Sequence, residues 1–308
     1  MPQGATPDVF NESTGAIIMM PVRRDVHPHL PASRIGDWHV RGRHVTHFVN
    51  ALSIFFPAGE RFFIDSVRAY RDDVADPELK RAIAGFIGQE AMHTREHILY
   101  NKLMNDAGLP AAPLDRFVAR VLNLMRRILP RSWQLAHTIA LEHYTAMLAG
   151  GLLADPEQMG GSEPGYHQVW IWHALEETEH KAVAYDVWNT VMKPGLSRYL
   201  LRAFTMLTTT ATFWAMVFVF HIRLVMADRE CRNKLGGFLG AAKFLWGRPG
   251  VLRRMMPAWF DYFRPGFHPW DHDNRAQLAR IEPLIAEIEA NAARAGVSSR
   301  APSVRAAA

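Results

Sequence analysis

The chain reads as all-α: a four-helix bundle followed by additional C-terminal helices. Three observations predict this. Apolar residues recur at helical spacing from about residue 45 onward, no run of period-two alternation announces a strand, and helix start and stop signals punctuate the chain. With 308 residues, 49% of them hydrophobic, the chain can bury a sizeable core in one large domain or two ordinary ones.

Residues 1–44 form an irregular lead-in, broken by Pro28, Pro31 and Gly36. Residues 45–72 are mostly apolar and helical, with a kink expected at Pro57. Asp76-Pro77-Glu78 then starts a helix, with Asp as N-cap, Pro at the first position and Glu in the first turn. That helix runs to about Asp106, where Ala107-Gly108-Leu109-Pro110 stops it. A shorter helix over 114–129 ends before Pro130. The third long helix covers 132–153, closed by Gly150-Gly151 and Asp155-Pro156, and the fourth covers 166–192, stopped by Pro194-Gly195. The bundle therefore spans 45–197. Residues 198–295 are a helical extension, and 296–308 a flexible tail rich in Ala, Arg and Ser.

Composition narrows the function. The single cysteine, Cys231, excludes a disulfide framework. It also excludes any zinc site built on four cysteines, or on two cysteines and two histidines. Asp8 and Glu12 interrupt the N-terminus, and the apolar stretch 16–22 runs into Arg23-Arg24, so no signal peptide is expected and the location reads as cytoplasmic. The net charge of +5 is concentrated in residues 198–254, which hold 10 Lys and Arg against 2 Asp and Glu. That segment is also the most apolar in the chain, which points to an anionic membrane surface and not to nucleic acid, because no groove-reading motif accompanies it. Within it, 203–222 carries no formal charge and is long enough to cross a bilayer. A buried helix of the fold is the leading reading, ahead of a helix lying in the inner face of the membrane and of a true span.

Fifteen histidines invite a search for metal ligands. The four long helices offer, in order, Glu60; Glu90 with His93; Glu142; and Glu177 with His180. Residues three apart lie on one helical face about one turn apart, so each Glu-x-x-His can place a carboxylate and an imidazole on one ion. Two such pairs on facing helices, with one Glu from each of the other two, make a carboxylate-bridged dinuclear site inside a bundle. The apolar neighbours Phe62, Phe63, Phe86, Met92 and Leu175 surround glutamates that should not be buried without a partner. Glu176 is the alternative to Glu177, because it stands one turn from His180 as well. His97 and His173 crowd the same faces, either as extra ligands or, as the leading reading, as donors that support the ligands by hydrogen bonds; Tyr144 is a candidate redox-active or supporting group, with a packed core tyrosine as the leading reading. The run from His268 to Asp273 is rich in donors but reads as a structural loop, and His27, His29, His39, His44 and His47 form no constellation.

This ligand order resembles that of the ferritin-like di-iron carboxylate superfamily over residues 60–180. The whole chain resembles a bacterial family described as predicted metal-dependent hydrolases. The residues that carry the likeness are Val22-Arg23-Arg24, the stretch from Phe55 to Phe62, Gly88-Gln89-Glu90, His93 to His97, Trp172 to Lys181, and Phe267-His268-Pro269-Trp270. The resemblance implies a ferritin-like bundle and a metal-dependent enzyme.

Four carboxylates and two imidazoles suit iron first, with manganese or zinc as alternatives. Four glutamates neutralise two divalent ions, and a neutral site can be oxidised in an apolar bundle at little electrostatic cost. The leading expectation is thus an oxygen-activating oxidoreductase acting on a small apolar or lipid-like substrate, served by an electron donor. The alternatives are a metal-dependent hydrolase and a non-catalytic metal-binding bundle. A homo-oligomer is compatible with the sequence.

Overall fold

The computed structural model describes residues 9–11 and 16–296. Two three-residue strands, β1 (Val9–Asn11) and β2 (Ala16–Ile18), pair antiparallel ahead of the helices. They correct the expectation of no strands: three-residue strands are too short to show a period. The expected tail lies, from residue 297, outside the described residues.

Helix α1 (Arg43–Arg68) runs through Pro57 as one element. Proline removes the hydrogen bond to the carbonyl four residues earlier, and here that carbonyl, Ser53 O, accepts instead from Asn101 Nδ2 at 3.1 Å. Helix α2 (Pro77–Asp106) starts as the sequence predicts, with the Asp76 carboxylate accepting from Glu78 N at 2.8 Å. Helix α3 (Ala111–Ile128) leads across to α4 (Arg131–Ala154), which packs on α5 (Pro164–His180). Helices α1 and α2 form the other pair, and contacts of α1 with α4 and of α2 with α5 close the four-helix bundle. Ile54, Phe62, Ile83, Phe86, Leu135, Leu175 and Trp172 fill its interior, each exposed by 1% or less.

The fourth predicted helix is broken. It ends at His180, turns through Lys181-Ala182 and resumes as α6 (Val183–Val191). At the break the Lys181 ammonium reaches into the loop at 268–274, donating to His272 O and Asn274 Oδ1, both at 2.6 Å, and stacking over Trp270 at 4.1 Å.

Beyond the bundle, α7 (Leu196–Ala227) packs against α1 and α4. Arg202, Thr205, Met206, Thr209, Val217, Phe220, His221 and Leu224 face inward, whereas Leu196, Leu200, Phe204, Leu207, Ile222 and Met226 face out. Only 28% of its most apolar window is buried, so the expectation of a buried helix is corrected: α7 is attached by one face. Helices α8 (Gly237–Ala242), α9 (Val251–Asp261) and α10 (Ile281–Arg294) pack on α1, α4 and α5 respectively.

The lead-in straps this bundle. A Cβ on Gly165 would stand 1.8 Å from His29 O and one on Gly85 2.2 Å from Pro21 O, so only glycine lets the strap lie against α5 and α2 there.

Candidate metal centre

Helices α1, α2, α4 and α5 bring Glu60, Glu90, His93, Glu142, Glu177 and His180 to the centre of the bundle, each exposed by 2% or less. Nε2 of His180 stands 3.1 Å from Glu90 Oε1, 3.3 Å from Glu177 Oε2 and 3.7 Å from Glu142 Oε2. His93 Nδ1 is 3.7 Å from Glu177 Oε1. Donor atoms of Glu90, Glu177 and His180 lie within 4.8 Å of one another, and so do those of Glu60, His93 and His173.

The donor atoms also lack ordinary hydrogen bonds. Both oxygens of Glu60, Glu90 and Glu142, Oε2 of Glu177, Nδ1 of His93 and Nε2 of His180 are buried without a well-formed hydrogen bond, His180 Nε2 standing only in ion-pair range of Glu90 and Glu177. A bare buried carboxylate costs on the order of several kcal/mol, so these nine atoms require cations or protons. Hard oxygen and imidazole donors, all aimed at one interior space, fit divalent metal ions.

Electrostatics agree. Burial, then the neighbouring carboxylates, push Glu60 and Glu142 well above the ordinary carboxylate range. Burial also pushes Glu90 up to about 7, against the pull of His180. For Glu177 burial is outweighed by His180 and His173, which hold it well below that range, and in return Glu177 and Glu90 hold His180 well above the usual imidazole value. His93 is pushed down by burial and by His173.

Residues 22–273 match the profile of a family described as predicted metal-dependent hydrolase. The chain belongs to that family. No curated protein and no solved structure matches it. In this metal-dependent hydrolase family member the matched stretch takes in the strap from Val22 and every helix that carries a cluster residue.

The strap explains why its arginines belong to the pattern. Arg24 pairs with Glu179 through both Nη atoms, at 2.8 and 3.0 Å, and with Glu176 at 3.3 Å. Glu176 Oε2 in turn meets His93 Nε2 at 3.1 Å. Glu176 therefore backs His93 from outside the cluster, and Glu177 is the residue that faces His180. Gln89 Nε2 donates to Glu179 and to Val22 O, and its Oε1 meets His180 Nδ1 at 2.9 Å. These contacts leave His93 Nδ1 and His180 Nε2 as the inward nitrogens. Reading the sequence alone leaves Gln89 without a role, although it stands beside Glu90 in a motif stretch.

Of the expected supporting residues, two are in place. His173 Nε2 meets Glu177 Oε1 at 2.9 Å and its ring stacks on His93 at 4.1 Å, so it touches the cluster directly. His97 Nε2 meets His173 Nδ1 at 2.8 Å, and its Nδ1 meets Ser53 Oγ, which donates to Asn101 Oδ1, each also at 2.8 Å. Tyr144 is a packed core tyrosine and not a supporting group: its hydroxyl is bonded to Thr210 Oγ1 of α7 at 2.6 Å and not to a ligand. The ligand-rich loop is structural, with His268 capping its own turn and meeting Asp186 at 2.9 Å. His47 pairs with Asp228 at 2.8 Å, tying α1 to the end of α7.

Proposed function

We propose that the cluster holds two divalent metal ions, iron or manganese by its donor set and zinc as the alternative, and that the protein is a metal-dependent hydrolase of an apolar substrate. Glu90, Glu177 and His180 would hold one ion and Glu60, His93 and His173 the other, with Glu142 beside His180. The nine buried donor atoms without a well-formed hydrogen bond carry this reading, and membership of the family supports hydrolysis. Two ions bound there would lower the pKa of a water between them and polarise a carbonyl or phosphoryl oxygen.

The chain's own residues set the conditions. The line from Asn101 through Ser53, His97 and His173 fixes Glu177 in orientation. Glu177 stays ionised beside two imidazoles and so offers the ions a charged carboxylate. Phe56, Leu52 and Leu148 line the small pocket that opens onto Glu177 and His173, excluding bulk water.

Oxygen activation is the second reading. It is favoured by the excess of carboxylates over imidazoles and by the lack of any charged side chain, other than the cluster's own Glu177, along that pocket.

Loading the protein with each metal and offering p-nitrophenyl esters of increasing acyl length tests the choice. Hydrolysis predicts ester turnover that Glu177→Gln abolishes. Oxygen uptake by the reduced, metal-loaded protein with inert esters would move the assignment to the second reading. Bound metal with neither reaction would leave a non-catalytic metal-binding bundle.

A further inference from the structure

A cavity of about 710 Å³ lies between α1, α3, α4 and α7. Its size falls inside the roughly 300–1,000 Å³ of small-molecule sites. Its mouth carries Ile128 and Phe204, exposed by 65% and 51%. Leu52, Phe56, Thr145 and Leu148 line both this cavity and a smaller pocket of about 80 Å³ whose far wall is His173 and Glu177. The two spaces thus share one wall, which sets the outer cavity next to the pocket at the cluster.

No Asp, Glu, Lys or Arg lines the outer cavity. Its hydroxyls are already engaged: Thr208 and Thr212 donate to carbonyls of their own helix, Thr209 meets His137 Nδ1, Thr145 donates to Glu142 O, and the Tyr144 hydroxyl holds Thr210. Burial pushes His137 down to about 4, so it is neutral at pH 7. Such a wall recognises the length and shape of a hydrocarbon and offers no charge to a head group.

We infer that the cavity and the pocket together are the binding site for a single unbranched acyl chain, entering between α3 and α7 and reaching Glu177 through the neck at Leu148. The inference rests on the proposed metal-dependent reaction and names its substrate class. Such a chain is the shape that can pass Phe56, Leu52 and Leu148 by side-chain rotation alone.

Binding of saturated fatty acids from eight to eighteen carbons is measured by displacement of a fluorescent fatty-acid probe, with metal content determined on the same samples. Wild type should bind more tightly as the chain lengthens. Ala215→Trp fills the outer cavity and should weaken the longest chains by about tenfold or more. Leu148→Trp fills the neck, and should weaken the longest chains while sparing eight-carbon chains that fit outside it. Melting curves establish that both variants are folded. Affinity independent of chain length, or unchanged in both folded variants, overturns the inference. Chain binding in a protein that holds no metal would refute the metal reading alone, and metal with no chain binding would refute this one alone.

Discussion

At the scale of single residues, the cluster trades protons for cations. In the metal-free chain Glu90 titrates near 7, and Glu60, Glu142 and His180 are displaced further upward. Their unfolded values are about 4.5 for the glutamates and about 6.5 for histidine. Above pH 6.5 the folded chain therefore keeps protons that the unfolded chain has released. Each such proton removes about 1.4 kcal/mol of stability per pH unit until its folded pKa is passed. His93, whose folded value is depressed, opposes this below about pH 6.5, and Lys181, which burial lowers to about 7, opposes it above that in metal-free and metal-loaded protein alike. Ions that replace the cluster's protons should cancel its share of that loss. Thermal melts of chelator-stripped and reloaded protein should show a gap in Tm that widens with pH. A gap that stays constant or narrows would contradict the assignment of these groups.

At the scale of elements, the strap over α2 and α5 decides how firmly the outer support of the histidines is held. Gly165→Ala places a methyl against His29 O and should cost about 1–3 kcal/mol, lowering Tm by a few degrees. Gly151, with nothing within 4 Å of its Cβ position, should accept alanine without loss. Equal melting points for the two variants would mean that the strap yields. Much at this scale is legible in the sequence. Asp76-Pro77-Glu78 and Ala107-Gly108 bracket α2 because caps and breakers act locally, and the Glu-x-x-His spacing finds ligands because it is the geometry of one turn. The break at Lys181 carries no proline or glycine, and it depends on a loop some 90 residues away. The packed role of Tyr144 is legible from spacing: two residues after Glu142, it is about 200° round the helix, on the opposite face. The role of His173 is half legible. Its place one turn before Glu177 is in the sequence, but its stacking on His93 belongs to another helix.

At the scale of the whole molecule, the basic segment 198–254 gives the surface its character. Beside the outward stripe of α7, Leu235, Leu239 and Trp246 are exposed by 81%, 78% and 51%, among the exposed Arg232, Lys243 and Arg248. Apolar side chains interleaved with cations suit an anionic bilayer surface, and the mouth of the cavity opens beside α7. We propose that this face rests on such a surface. Flotation with anionic vesicles should recover the intact protein, neutral vesicles should recover less, and Leu235→Glu with Leu239→Glu should abolish recovery. Equal recovery of that double variant and wild type would contradict the proposal. Composition alone favours burial of α7, since an apolar helix reads the same whether its partner is a core or an interface.

The reaction, the substrate passage and the pH dependence all depend on ions at the centre of the bundle. Elemental analysis of the purified chain tests that most directly. Wild type should carry close to two iron or manganese ions per chain. Glu177→Gln should lose most of that metal, whereas Glu176→Gln, which removes a support and not a ligand, should keep it with affinity weakened about 10–100-fold. A folded wild-type protein that holds no metal under any loading condition, or a Glu177→Gln variant with full occupancy, would contradict the account.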